Sequence, residues 1–225
     1  MKKISLCLLP ALLSLSAYNG TPIIKNSFPK IKTMIATQTT PATAELTAKE
    51  RADAIKLLTQ TEAGVFDAVK DLNETQLNFK PAADKWSTGD CVKHIAAAEK
   101  TLWDMAEASL KQPANPEKRA EIKFSDEQLI TAVEDRSHKS KTFAALEPAN
   151  SPYKTEPEAL AAFKENRAKL ITFVGSTKLD LRNHVLVLPL GTYDAYQFIL
   201  LIAAHTNRHT RQIDEVKADA GFPKN

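Results

Sequence analysis

His205-Thr206-Asn207-Arg208-His209 sets two imidazoles four residues apart. On a helix this spacing brings both rings to one face, the geometry in which two nitrogen ligands grip one ion. Phe198, Ile202, His205, His209, Ile213 and Val216 recur at heptad-like steps, so the face that carries the rings is otherwise apolar. Unpaired polar rings are costly there and need a partner. His94, next to Ile95 on the apolar edge of an earlier helical stretch, is the natural third ligand. Three neutral imidazoles at about 2.0–2.1 Å from a divalent ion leave one position for water or substrate, the open arrangement of catalytic zinc sites. Imidazole donors suit a divalent transition metal, Zn, Ni or Fe, and also Cu. A closed cluster in which the histidines satisfy one another is the structural alternative.

The neighbours of His94 carry further chemistry. Asp90, four residues earlier, fits a carboxylate that orients His94 or takes a proton from a metal-bound water, and equally an acid stabilised by a helix N-terminus. Cys91 reads as a soft ligand or as a small core thiol. Glu99 and His138 are expected at the surface, and His184 at the mouth of the site or capping a loop. Trp86 is expected to plug one end of the fold, and Trp103 to shape a cleft or rest on a crossover. Arg208 and Arg211 are expected to pair with nearby acids.

The elements that must position these residues are helical. Thr47-x-x-Glu50 is a capping box opening a helix over 47–71, with Ala54, Leu57, Leu58, Val65, Val69 and Leu72 on its stripe. A polar connection from Asn73 to Lys85 follows. Ser87 caps a second helix that ends near Leu110, before Pro113 and Pro116. Ser125-x-x-Gln128 opens a stretch with Leu129, Val133 and Phe143 whose middle, 135–141, is too polar for burial along its length, so it reads as a crossover helix. Thr155-x-x-Glu158 starts a helix carrying Leu160, Phe163, Leu170 and Val174, with Gly175 ending it. The last helix spans about 192–217, and the apolar run 185–190 reads as a loop over one end. Four amphipathic helices and a polar crossover make an all-α four-helix bundle. The long connection between the second and third bundle helices predicts that those two run parallel.

Several segments together resemble one family. Pro81-x-x-x-Lys85-Trp86-Ser87, Val92-Lys93-His94-Ile95, Gly191-Thr192-Tyr193-Asp194-Ala195-Tyr196 and Ala203-Ala204-His205-Thr206-Asn207-Arg208-His209-Thr210-Arg211-Gln212-Ile213 are similar to the DinB-like (YfiT-like) superfamily over about residues 46–218. The resemblance implies an up-down-down-up four-helix bundle with a metal on three histidines, one from the second helix and two from the last, which carry over to His94, His205 and His209. It also implies a metal-dependent hydrolase or, as an alternative, a thiol-dependent S-transferase; a non-catalytic bundle that binds a small ligand or the metal itself is a further alternative. Kinship of fold alone carries no reaction across.

Composition bounds the rest. Of 225 residues, 43% are hydrophobic, 25% charged and only 6 are glycine, which favours one helical globular domain over a sandwich or a disordered chain. Five lysines and no acid fall in residues 1–44, leaving 25 basic and 27 acidic residues for the remainder. Nothing in that balance argues for nucleic acid or an anionic membrane surface as a partner, and a small-molecule substrate or ligand is expected. Lys2 and Lys3, the apolar run Ile4–Leu15 and the small residues after it have the layout of a signal peptide over 1–16. The run is too short for a stable membrane anchor. A flexible linker over 17–45 and the bundle domain over 46–220 complete an exported, periplasmic or extracellular, protein. Removal of Cys7 leaves Cys91 without an internal disulfide partner, and apolar faces outside the core make a homodimer plausible.

Overall fold

The computed structural model describes residues 45–138, 141–189 and 191–224. The expected signal peptide and nearly all of the expected linker lie outside the described residues. Six α-helices are present among them: α1 (Ala48–Val69), α2 (Glu74–Asn78), α3 (Thr88–Leu110), α4 (Asp126–Glu134), α5 (Glu156–Ser176) and α6 (Ala195–Lys217). Two short strands, β1 (Val185–Leu188) and β2 (Gly191–Asp194), pair antiparallel just before α6. None of the described helices is long and apolar enough to cross a membrane.

The caps that the sequence announces are formed. Thr47, Ser87 and Ser125 each accept the backbone N–H three residues on, and Glu50, Asp90 and Gln128 return the bond to the cap's own N–H. Each such cap contributes about 1 kcal/mol to holding the helix start in register.

Contacts between helix ends give the topology. Tyr196 Oη, in the first turn of α6, donates to the Glu50 carbonyl at 2.9 Å, and Lys217 Nζ, at its end, donates to the Ala68 carbonyl at 2.7 Å. α1 and α6 therefore run parallel. Arg51 reaches from the start of α1 to the Thr177 carbonyl beyond the end of α5 at 3.0 Å, so α5 is antiparallel to them. Glu99 meets Arg167, and Trp103 meets Phe173 edge to face at 4.8 Å, so α3 runs parallel to α5. The result is the up-down-down-up bundle, with α1 and α3 at opposite corners and both packed against α5 and α6.

The core falls into two apolar clusters. Leu58, Leu170, Val174, Phe198 and Ile202 belong to one, and Val65, Cys91, Ile95, Phe163 and Ile213 to the other. Between them lies a polar layer that the sequence does not announce. Arg167 is fully buried and Glu99 is 2% exposed, which corrects the surface position expected for Glu99. Nε and Nη2 of Arg167 grip the Glu99 carboxylate at 2.6 Å each, Nη1 donates to the Leu58 carbonyl and to Thr61, and Nη2 also donates to Thr206. Glu99 stands four residues after Ile95 on the buried face, and its charge is tolerated there because its partner faces it from another helix.

Other expectations need correction. Within the run expected to be a loop, Val185–Leu188 form β1, the first strand of a hairpin. Val185 pairs with Asp194 and Leu188 with Gly191, and four-residue strands have too short a period to be told from an apolar loop. Gly191 has φ +144°, and a β-carbon there would come within 2.6 Å of the Tyr193 hydroxyl oxygen, so the hairpin needs glycine at this point. The connection 73–85 contains α2, capped by Asn73. The crossover helix stops at Glu134 because the Asp135 carboxylate captures the Ser137 N–H and hydroxyl, an alternative to helix that short polar side chains offer. Phe143, expected on its apolar stripe, is 61% exposed. Gly175 lies inside α5, which runs one residue further. Trp103 meets Phe173 of α5 edge to face.

Candidate metal centre

α3 is antiparallel to α6, so its first turns face the second half of α6, where the spaced histidines lie. His94 is 1% exposed and His209 8%, and His205 is partly buried. Their Nε2 atoms converge: His205 Nε2 lies 3.3 Å from that of His94 and 3.2 Å from that of His209. Two ligands about 2.0–2.1 Å from a tetrahedral ion stand about 3.3 Å apart, so these separations match one cation's coordination sphere. All three rings offer ligand atoms within 4.8 Å of one another.

The outer nitrogens of two rings are occupied. His94 Nδ1 lies 2.7 Å from the Leu146 carbonyl, which can only accept, so the proton of His94 sits on Nδ1 and the lone pair on Nε2 points inward. His209 Nδ1 lies 3.0 Å from Gln212 Oε1. Arg136 Nη1 donates to that same oxygen at 3.2 Å, and the rest of its guanidinium grips Glu215 at 2.5 and 2.6 Å. An arginine offers only donors, so it fixes the Gln212 amide with its oxygen towards the histidine and sets the His209 tautomer too. His205, with at most one Nε2 proton, faces two lone pairs. Hydrogen bonds alone cannot close such a cluster, whereas a cation satisfies all three nitrogens at once.

The electrostatics favour the neutral, ligating form. Burial pushes the His94 pKa below its ordinary value against the opposing pull of the Leu146 bond. Burial, with His94 and Arg208 nearby, pushes His205 down to about 3. His209 is lowered well below the usual value by burial and by the other two rings. Trp86 completes the wall, stacked on His209 at 5.7 Å between ring centroids and tilted against His94 at 4.8 Å. It therefore covers the histidines instead of only plugging the bundle's end.

Other expected residues are placed away from the three rings. The Asp90 carboxylate accepts the Ser87 N–H at 3.1 Å and pairs with Lys80 at 2.8 Å, so it serves the start of α3, while His94 Nδ1 turns to the crossover. Cys91 is fully buried in the core, and burial pushes its thiol pKa far up. His184 bonds the Asp180 and Gln112 carbonyls and closes a loop. His138 is exposed. Arg211 pairs with Glu134 at 2.7 Å. Arg208 departs from the expected ion pair: it donates to the carbonyls of Val133, Asp135 and His138, tying the crossover to α6.

A cleft of about 1710 Å³ opens beside the histidines, lined in part by Trp86, Tyr153, Glu147 and Arg208. Five of its six described carboxylates are engaged. Asp84 meets Lys85, Asp90 meets Lys80, Asp135 meets Ser137, Glu215 meets Arg136, and Asp219 accepts the Gly221 N–H. Glu147 follows Leu146, whose carbonyl holds His94. Gln212, three residues after His209 on the same face, was findable from spacing. The Leu146 carbonyl and Glu147 were not, because no periodicity marks them.

A model of the DinB superfamily matches residues 57–213, a span that includes all three histidines. The uncharacterized protein YuaE of Bacillus subtilis (strain 168) is 26% identical over 169 residues, covering 72% of this chain and 96% of its own length. Among solved structures, YfiT from Bacillus subtilis, described as a probable metal-dependent hydrolase with an unusual four-helix bundle topology, superposes with a TM-score of 0.54 at 15% identity. The match covers 80% of this chain and 93% of that one.

Proposed function

The chain belongs to the DinB superfamily, and on that premise we propose that it is an exported metal-dependent hydrolase. His94, His205 and His209 hold its divalent transition metal and leave one coordination position for water or substrate. The observation that carries this reading is the convergence of the three rings, with His205 Nε2 3.3 Å from that of His94 and 3.2 Å from that of His209, and with the outer nitrogens of His94 and His209 already bonded. The description of YfiT as a probable metal-dependent hydrolase supports the same reaction class. When bound, the cation supplies Lewis acidity and a water of lowered pKa.

The chain's own residues do the rest. Leu146 and Gln212 hold two rings in the ligating tautomer, and Trp86 shields them from bulk water. Glu147, in the cleft wall beside Leu146, is the carboxylate that this reading assigns as proton acceptor. Export rests on Lys2, Lys3 and the apolar run after them, and the N-terminal sequence of the mature protein tests it.

Elemental analysis of protein purified without added metal tests the core of the reading. One divalent ion per chain, lost in His209→Ala and kept in Glu147→Gln, is the expected result. Glu147→Gln should also lower turnover of an ester or amide substrate by about 10²–10⁴-fold. Metal-free protein that takes up no Zn, Ni or Fe on addition overturns the proposal.

A further inference from the structure

On its α3, α6 and hairpin walls, the cleft beside the histidines changes polarity along the bundle axis. The start of α3 and the later half of α6 share one end, and there its lining includes Lys80, Asp84, Asp90, Lys93, Glu215 and Asp219. Past the histidines, towards the hairpin, the wall is made by Ala98, Leu102 and Met105 of α3, Phe198 and Leu201 of α6, and Leu188 of β1. No described lining residue on α3 after His94, on α6 before His205, or on the hairpin is charged.

His94, Ala98, Leu102 and Met105 stand at steps of four, four and three, so they form one stripe on α3. At about 1.5 Å per residue the stripe runs about 16 Å from the first histidine. Ala98, one turn from His94, keeps the floor low next to the rings, and beyond it the side chains are larger. Leu102, Met105, Leu201 and Leu188 are only partly buried, so this wall leaves apolar surface in contact with water that a ligand can cover.

We infer that the substrate is an amphiphile: a polar, hydrolysable head lies at the three histidines, and a linear acyl or alkyl tail lies in the α3/α6 groove towards the hairpin. The inference rests on the metal-site reading above and adds the class of molecule the site accepts. A substrate that is polar throughout would leave this wall wet, and one that is apolar throughout would bring no donor to the three histidines.

The test uses the full chain loaded with zinc and titrated calorimetrically with acetohydroxamate, hexanohydroxamate and decanohydroxamate, whose shared head chelates the ion and whose tails differ only in length. Affinity should rise about three- to fourfold for each methylene that enters the groove. In Leu102→Asp, or in Met105→Glu should the first variant fold poorly by circular dichroism, the ratio of decano- to acetohydroxamate affinity should fall towards one. Zinc-loaded protein that binds all three probes equally overturns the tail inference while leaving the metal site in place. Protein that takes up no zinc overturns the reading beneath it. A chain-length slope that survives both substitutions places the tail elsewhere and also overturns the inference.

Discussion

Two polar clusters lie inside the same apolar bundle, and α6 joins them through adjacent residues: Thr206 belongs to one and His205 to the other. Around Arg167 every demand is met internally. The guanidinium has five N–H donors, and they find Glu99 twice, the Leu58 carbonyl, Thr61 and Thr206. The two threonine hydroxyls pass their own protons to the carbonyls of Leu57 and Ile202. Around His205 the opposite holds. Three ring nitrogens aim at one point with at most one proton among them, while the outer faces of His94 and His209 are carefully bonded. Both clusters are buried and both span helices. A polar group closed on itself ties the bundle together, and one held open at its centre is a place for something else to bind.

The largest test of that contrast is to break the closed cluster. Arg167→Met leaves the Glu99 carboxylate buried without its cation, which should lower the free energy of unfolding by about 3–5 kcal/mol. Urea denaturation of the metal-free protein measures it. The double variant Arg167→Met/Glu99→Leu, which replaces both partners by apolar groups, should recover most of the loss. A single variant as stable as the parent would show that the layer is not closed in solution, and the distinction between the clusters would fail.

A smaller effect sharpens the other side. Gln212→Leu removes the acceptor for His209 Nδ1 and leaves Arg136 paired with Glu215, without touching a ligand atom. Metal affinity should fall about 10–100-fold, the usual cost of losing the group that orients a ligating histidine, with little change in folding stability. Competition against a chelator of known affinity reads the first quantity and urea denaturation the second. Stability falling as far as affinity would make Gln212 part of the scaffold and the open cluster no different in kind from the closed one.

The open cluster was largely legible in the sequence, and the closed one was not. His205 and His209 announce themselves because an i, i+4 repeat on an apolar stripe is a local pattern, and capping boxes fix the helix starts to within a residue. Arg167 and Glu99 stand at inward-facing steps of their helices, four residues after Phe163 and Ile95, but a charge at such a step reads as solvated until its partner is known, and only the packing of α3 against α5 brings the two together. The hairpin was missed because four-residue strands carry too little period. The hold of the crossover on His94 was missed because it is made by a backbone carbonyl, which every residue possesses. Side-chain patterns along one element are readable, and pairings between elements far apart in the chain are not.

Proton linkage gives the smallest effect per group and bears on the same distinction. Burial lowers the pKa of His94, His205 and His209 in the folded, metal-free chain, while in the unfolded chain each titrates near 6.5. Below that value the unfolded state binds more protons, so stability must fall as the pH falls, until the folded-state pKa of each ring is reached. Between pH 7 and pH 6 the loss is about 0.7 kcal/mol for each histidine held neutral. Urea midpoints of the metal-free protein at the two pH values should show it, and His209→Ala should reduce the difference because one contributor is gone. Zinc binds only the neutral rings, so saturating metal should raise both midpoints and move the onset of destabilisation to lower pH. Midpoints that do not differ between pH 7 and pH 6 in metal-free protein would mean that the rings are hydrated and protonate freely, and then nothing would hold three lone pairs on one point.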